Sequence, residues 1–491
     1  MNPDYGGLAR ALLPETALVA GAVAVLGLDL TLLRGRAPGA RLRAAAGVAA
    51  LAVAAAALLS LKVGLMGPVF GGVLILDPLA GAARLAILVL ALLVLGIATG
   101  APAPRHPAEY AAIILFATAG MTLMAAAQQL LLAFLALELA SLSLYVLAGF
   151  DKSRPESAEA ALKYFLFGGM SAAFLLFGFS LLYGLTGSIE LPRIAAVVAG
   201  QGMSPLLAVA LVMILVSFGF KTSAAPFHLW APDAYQGAPV PSAALIASAS
   251  KLAGYALFVR LLWPGLGAVA GNAASAPLQA GWMPLVAALA AASILVGNLV
   301  ALAQADLRRL LAYSAIAHAG SLLLGVIAAG AAGPAPLFYY ASTYGIAAAG
   351  AFGTIAVLEG SGGCRSIADL AGLSRRSPLL AGCLLVFVLS LAGIPPLAGF
   401  FGKFAVYAAA LAMGGVSGPV GWIAILAILM SAVALYYYLG ILRQAFVAAP
   451  REGAPKVVVA PFAALALLAA AGLVIVLGLA PRLILGLFPA G

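Results

Sequence analysis

The sequence predicts an all-α polytopic membrane protein of about fourteen transmembrane helices, and three observations carry that reading. Its 491 residues are 65% hydrophobic and 8% charged, with mean hydropathy +1.16, whereas roughly a quarter of residues in a soluble domain are charged. The apolar residues run unbroken for about 20 positions at a time, enough to span a bilayer. They do not alternate with polar residues as barrel strands would. In hydrocarbon each backbone group needs an internal partner, so the runs read as helices.

The first window covers roughly residues 14–33, after a short start containing Asp4 and Arg10 with no small-residue cleavage site, and reads as a retained span. The next two fall at roughly 43–61 and 76–99, set off by Arg, Gly and Pro punctuation. The fourth and fifth, roughly 109–127 and 129–149, are divided only by Gln128 and Gln129. The sixth to eighth fall at roughly 159–185, 205–229 and 242–262, and the ninth to eleventh at roughly 282–303, 307–329 and 336–358. The last three occupy roughly 379–408, 419–446 and 459–485. This organisation divides the chain into 1–108 (helices one to three), 109–262 (four to eight), 281–447 (nine to thirteen) and 459–491 (helix fourteen).

Lys and Arg in the connections orient the spans. Arg34, Arg36, Arg41 and Arg43, then Arg105, then Lys152 and Arg154, Arg308 and Arg309, Arg365, Arg375 and Arg376, and finally Arg443, Arg451 and Lys456 all fall after odd-numbered spans. The opposite side has only Arg10, Lys62, Arg193, Arg260 and Arg482. The positive-inside rule therefore expects both termini outside the cytoplasm.

Two spans are interrupted. Pro226 and Pro232 follow Lys221 in the seventh, and Gly393-Ile-Pro-Pro396 precedes Lys403 in the twelfth. Proline removes a backbone donor and crowds the preceding turn, freeing carbonyls that need other partners. Broken helices at corresponding places mark a transport pathway and an inverted repeat. The breaks lie five spans apart, an odd offset that reverses direction in the membrane, so two inverted five-helix repeats are expected with helices seven and twelve broken. A short echo agrees: Leu131-Leu-Ala-Phe134 in the fifth span resembles Leu310-Leu-Ala-Tyr313 in the tenth. The offset places Glu138 within a residue of His318.

Glu138, Lys221, Lys251 and Lys403 sit deep in apolar stretches. A charge at the bilayer centre costs at least about 2.5–3.5 kcal/mol, so each needs a partner, a wet cavity or a function. Among 25 basic residues the lysines are only 62, 152, 163, 221, 251, 403 and 456, yet the deepest cations are all Lys. Arg cannot practically deprotonate, whereas a buried Lys can exchange a proton near neutral pH. Proton translocation is the expectation for these four. His318, deep in the tenth span, and His228, counted two turns beyond Lys221, are candidate relays. Lys163 lies near a helix end and reads as a snorkelling anchor. Arg84, inside the third span, has no assigned role, and Tyr436, Tyr437 and Tyr438 read as packing and hydrogen-bonding residues.

The net charge of +10 is scattered through short loops, not gathered into a nucleic-acid stripe. Cys364 and Cys383 have no partner spacing for a disulfide framework, a zinc site or an iron–sulfur site, so no metal is expected. With no phosphate-binding loop or dinucleotide fingerprint in sight, transport would be driven by a gradient or by a partner's chemistry.

The run from Phe218-Gly-Phe-Lys-Thr-Ser-Ala-Ala-Pro-Phe-His-Leu-Trp to Val240-Pro241, followed by Ser250-Lys251, closely resembles the antiporter-like membrane subunits of bacterial respiratory complex I, the NADH:quinone oxidoreductase. Glu159-Ala-Ala-Leu-Lys-Tyr-Phe165, Leu310-Leu-Ala-Tyr-Ser-Ala-Ile-Ala-His-Ala-Gly320 and Ala392-Gly-Ile-Pro-Pro-Leu-Ala-Gly-Phe-Phe-Gly-Lys403 extend the match to most of the chain. Trp230-Ala-Pro-Asp-Ala-Tyr-Gln-Gly-Ala-Pro239 is similar to the subunit N group and not to its sisters L and M. The resemblance implies Glu138 paired with Lys221, Lys251 as a central link and Lys403 as the gate of the second half. It implies no cofactor in this chain, with FMN, iron–sulfur clusters, NADH and quinone held by partner subunits. It also implies neighbouring antiporter-like and small membrane subunits, and a place in the bacterial plasma (inner) membrane. Protons would enter from the cytoplasm toward Lys221 and Lys251, pass His318 and leave near Lys403. A subunit of a multisubunit cation/proton antiporter shares this charge pattern, and a non-transporting membrane scaffold is the remaining alternative.

Overall fold

Proline opens most of the long helices of this chain, at Pro38, Pro78, Pro107, Pro155, Pro205, Pro378, Pro419 and Pro461. Its missing N–H costs nothing in a first turn, where that donor would lack an intrahelical partner anyway. Asp77 caps the Pro78 start and Asp306 the start at Leu307: Asp77 accepts from the Ala80 N–H at 2.8 Å, and Asp306 accepts from the Arg308 and Arg309 N–H groups at 2.9 Å each. The computed structural model describes residues 4–275, 277–451 and 456–488. Among them, fourteen helices are long and apolar enough to cross a membrane.

These helices run Leu13–Thr31, Pro38–Val63, Pro78–Ala98, Pro107–Ala126, Leu130–Ala148, Pro155–Thr186, Pro205–Thr222, Val240–Gly265, Trp282–Ala301, Leu307–Ala332, Ala335–Gly360, Ala398–Ser417, Pro419–Phe446 and Pro461–Leu479. Each sequence window overlaps one. The eighth and eleventh are wholly buried over their most apolar stretch and the tenth is 94% buried, while the second and sixth are buried only to 28% and 33%. Helices eight, ten and eleven therefore form the centre, and the charged row runs through them.

Two helix pairs approach backbone to backbone. A Cβ on Gly120 would stand 2.6 Å from the Ala140 nitrogen, and one on Gly297 would stand 2.4 Å from the Ala317 nitrogen. Only glycine permits that closeness. The two pairs are helices four with five and nine with ten, five spans apart, and their second members carry Glu138 and His318.

The weak boundary at Gln128 and Gln129 is a true turn. Its backbone is satisfied from outside: Gln128 N–H donates to the Val73 carbonyl at 3.0 Å, and Leu130 N–H to the Ile189 carbonyl at 2.8 Å. Val73 belongs to a hairpin of Gly67–Val69 and Leu74–Leu76. The hairpin and the amphipathic helix Leu191–Gln201 fill connections between the apolar windows and are too short to span a bilayer.

The seventh span breaks as expected. Its first half ends at Thr222, Ser223 takes a left-handed conformation (φ 60°), and a second short helix, Trp230–Gly237, follows. Trp230 Nε1 donates at 3.2 Å to the Phe220 carbonyl, which also accepts from the Ser223 N–H, and Ala225 N–H donates to Ser293 Oγ at 2.8 Å. The twelfth span divides into Pro378–Ala392 and Ala398–Gly414 around Gly393, whose φ of 87° suits glycine. A further break at Ser248 (φ −112°, ψ −88°) splits the eighth span just before Lys251. No proline announces it, and the sequence carries no other mark of it.

Candidate functional site

The breaks set the positions of the lysines. Lys221 is the penultimate residue of the first half of helix seven, Lys251 stands three residues past the Ser248 break, and Lys403 lies in the second half of helix twelve. All three are buried, at 4%, 2% and 9% exposure. Each ammonium finds a neutral acceptor. Lys221 Nζ donates to Ser141 Oγ at 3.1 Å, Lys251 Nζ to the Ala315 carbonyl at 2.8 Å, and Lys403 Nζ to the Ala392 carbonyl at 3.1 Å. Ala392 is the last residue of its half-helix, so Lys403 reaches back across the break to the negative end of that helix.

Glu138 differs from expectation. It is half-buried on helix five, between the outward-facing Leu135 and Leu142. Lys221 is near enough to act on it electrostatically, yet no ion-pair contact within 4.0 Å joins them among the described residues, and Glu138 Oε1 has no hydrogen-bond partner. The direct pair is thus replaced by a serine. Ser141 stands one turn from Glu138 on the same helix face and takes the Lys221 hydrogen bond.

Contacts then run on without a gap. A Cβ on Gly254 would lie 3.2 Å from Lys221 Cγ, so the Lys221 stem rests on helix eight one turn from Lys251. Lys251 Nζ lies 5.8 Å from the centroid of the Tyr344 ring, within cation–π range. That ring lies 4.8 Å from the His318 ring. Lys251 and Tyr255, one turn apart on helix eight, bond to the Ala315 and Ala319 carbonyls, one turn apart on helix ten, on either side of His318. His318 is held at both nitrogens, Nδ1 to Tyr340 Oη at 2.6 Å and Nε2 to Tyr438 Oη at 3.2 Å. It feels both Lys251 and Lys403 electrostatically.

His318 and Lys403 line one cavity of about 20 Å³ with Ser321, Tyr340, Tyr407 and Tyr437. That is room for about one water, and the lining offers the polar partners a water needs. The Lys403 stem packs on Gly393, where a Cβ would come within 3.0 Å of Lys403 Cδ. Sequence reasoning found the lysines and His318 but missed Ser141, Gly254, Tyr340 and Tyr344, since a Ser, Gly or Tyr in an apolar helix gives no periodic or charge signal of its own. Tyr437 and Tyr438 do form the hydrogen bonds expected of them: Tyr437 Oη donates to Asn298 Oδ1 at 3.1 Å.

His228 lies apart. It occupies the non-helical break of helix seven, so the two turns counted from Lys221 do not exist. Its Nδ1 has no hydrogen-bond partner among the described residues, and its ring is 6.4 Å from Tyr313.

Below the break, on the arginine-rich side, Lys163 bonds to Glu159 and Asp233 at 2.6 Å each, and Arg309 bonds to Asp233 at 2.6 Å. Arg308 pairs with Glu359. On the opposite side Arg84 pairs with buried Glu15 at 3.0 Å, which gives that unassigned arginine a partner. There too Arg260 forks onto both Asp77 oxygens at 2.8 Å. Burial pushes the Asp77 carboxyl up, but the Arg260 fork and the Ala80 N–H outweigh it and hold the group below its ordinary value.

The family described as NADH:quinone oxidoreductase/Mrp antiporter, TM, matches residues 127–434, more than half of the chain. A relative from Acidobacterium capsulatum, NADH-quinone oxidoreductase subunit N 2, is 49% identical, and the alignment covers 99% of each chain. A chain of respiratory complex I from Thermus thermophilus superposes with a TM-score of 0.79 at 35% identity, covering 98% of this chain and all of that one. A chain of the Mrp complex from a Dietzia species has the same TM-score at 23% identity, covering 96% of each, and shares the fold.

Proposed function

We propose a proton route for a chain that belongs to the antiporter-like membrane-subunit family of NADH:quinone oxidoreductase, in its subunit N group. As a member it is a proton-translocating, multi-pass subunit of respiratory complex I and works with the other subunits of that enzyme. Protons enter from the arginine-rich side, taken as the cytoplasm, and reach Lys221 and Lys251. They pass His318 and leave through Lys403 to the outer side. The single observation that supports this route is the unbroken series of contacts from Lys221 through Gly254, Lys251, Tyr344 and His318 to the cavity at Lys403.

Each residue has a chemical role in the route. Lys221, Lys251 and Lys403 load and release protons, which Arg could not do. Glu138, facing outward from helix five, is the charge through which a neighbouring antiporter-like or small membrane subunit acts on Lys221. Ser141 passes that influence on by orienting the ammonium. His318, fixed by two tyrosine hydroxyls, carries protons between halves 109–262 and 281–447, which we read as inverted repeats. His228 serves as an entry relay at the helix-seven break. FMN, iron–sulfur clusters, NADH and quinone belong to partner subunits, whose redox chemistry drives the charge shifts. The membrane is the bacterial plasma membrane, with both termini on its outer side.

The test is proton pumping by the assembled enzyme in proteoliposomes. Lys221→Ala and Glu138→Ala are expected to lower pumping coupled to quinone reduction. Unchanged pumping and turnover in both variants would remove the route.

A further inference from the structure

Beyond the charged row lies a groove of about 450 Å³ on the outward face of helices nine, ten and thirteen, at their arginine-rich ends. Its walls include Leu302, Leu310, Tyr436 and Leu439, and its rim carries Arg443 with Gln304 and Gln444. Leu302, Leu439 and Tyr436 stand out from the protein at 42%, 47% and 76% exposure, so the groove opens toward the membrane. Its floor is bare at Gly440, where an added Cβ would meet nothing within 4 Å.

The rim also carries charge. Arg308, Arg309, Arg365 and Arg451 on this side are each paired with a carboxylate. The Arg443 guanidinium has neither an ion pair nor a hydrogen bond among the described residues. It stands seven residues from Tyr436 on one helix, about 10 Å along the membrane normal. An exposed cation at the headgroup level, a tyrosine about 10 Å deeper and an apolar trough between them match one lipid molecule, with its phosphate outside and its chain inside.

We propose that this groove binds one anionic phospholipid of the arginine-rich leaflet. Arg443 takes the phosphate, Gln304 and Gln444 offer amide donors to the headgroup, and one acyl chain lies over Gly440 between Leu302 and Leu439. Tyr437 lines both this groove and the Lys403 cavity, so the bound chain covers the outer side of the wall behind the charged row.

The test uses the whole purified enzyme in nanodiscs, with phosphatidylglycerol carrying a photoreactive group on its acyl chain, and maps adducts by mass spectrometry. Wild type is expected to give adducts at 436–444 or 301–310. Unlabelled phosphatidylglycerol should displace them about fivefold better than phosphatidylcholine, the factor one basic residue adds for an anionic lipid. Arg443→Gln should cut labelling by about the same factor and Arg443→Lys should restore it, since charge is what counts. Gly440→Leu, which fills the trough without a clash, should cut labelling independently. No adduct in the groove, equal competition by phosphatidylcholine, a partner-subunit helix labelled in its place, or full labelling in both Arg443→Gln and Gly440→Leu would overturn the proposal.

Discussion

The Lys221 ammonium donates a hydrogen bond to Ser141 Oγ at 3.1 Å, and Ser141 stands one turn from Glu138 on the same helix. The carboxylate therefore acts on the amine through space and through an oriented hydroxyl, not by contact. A hydrogen bond to a charged group contributes about 1.5–3 kcal/mol. Ser141→Ala is expected to lower proton pumping by about tenfold, less than Glu138→Gln, while Ser141→Thr keeps the hydroxyl and most of the activity. Pumping assays on the three variants in proteoliposomes check the order. Full pumping in Ser141→Ala would make the serine a packing residue.

Lys403→Arg keeps a cation and a donor for the Ala392 carbonyl but cannot release its proton. Assembly and NADH oxidation by the solubilised enzyme should survive, while proton pumping is lost. A variant that still pumped fully would show that Lys403 needs only its charge.

Tyr340 and Tyr438 hold the two His318 nitrogens, and the hydrogen bonds they make fix which nitrogen carries the proton. Tyr340→Phe removes the shorter bond at 2.6 Å and is expected to slow proton transfer more than Tyr438→Phe, whose bond is 3.2 Å. Turnover in the presence and absence of an uncoupler separates the two. Equal rates in both variants and wild type would take His318 out of the route.

Arg84 and Glu15 form a buried pair on the side opposite the arginine-rich face. Removing one partner of such a pair costs about 3–5 kcal/mol because the other charge is left alone, whereas replacing both with apolar residues is close to neutral. Glu15→Gln should reduce the yield of assembled enzyme and its melting temperature, and Glu15→Leu with Arg84→Leu should recover most of both. A double variant as poor as the single would point to a functional charge in place of a structural one.

Asp77 is held below the ordinary carboxyl range by the Arg260 fork and the Ala80 N–H, against its burial. A carboxyl depressed in the folded state contributes stability that is complete above its unfolded value of about 3.9 and disappears as pH falls through the folded value. The difference in melting temperature between wild type and Asp77→Asn should stay constant from about pH 5 to 8 and shrink below about pH 3.9. A constant gap down to about pH 3 would assign the effect to shape, not charge.

The sequence by itself determined the membrane class, the fourteen spans, the two proline-marked breaks and the identities of the deep ionisable residues. Each of these follows from a property summed or read locally along the chain: the apolar run a bilayer demands, the missing N–H of Pro226 and Pro396, and the scarcity of Lys against Arg. The third break, at Ser248, has no local marker, and only the packing of helix eight against its neighbours places Lys251 just beyond it. The tertiary structure also decided the partners. Ser141 came between Lys221 and Glu138, Gly254 made room for the Lys221 stem, and three tyrosines from two helices closed around His318. Hydrogen bonds and ring contacts between helices far apart in sequence depend on rotation about each helix axis and on approach distance. Neither quantity is written in the composition of a single span.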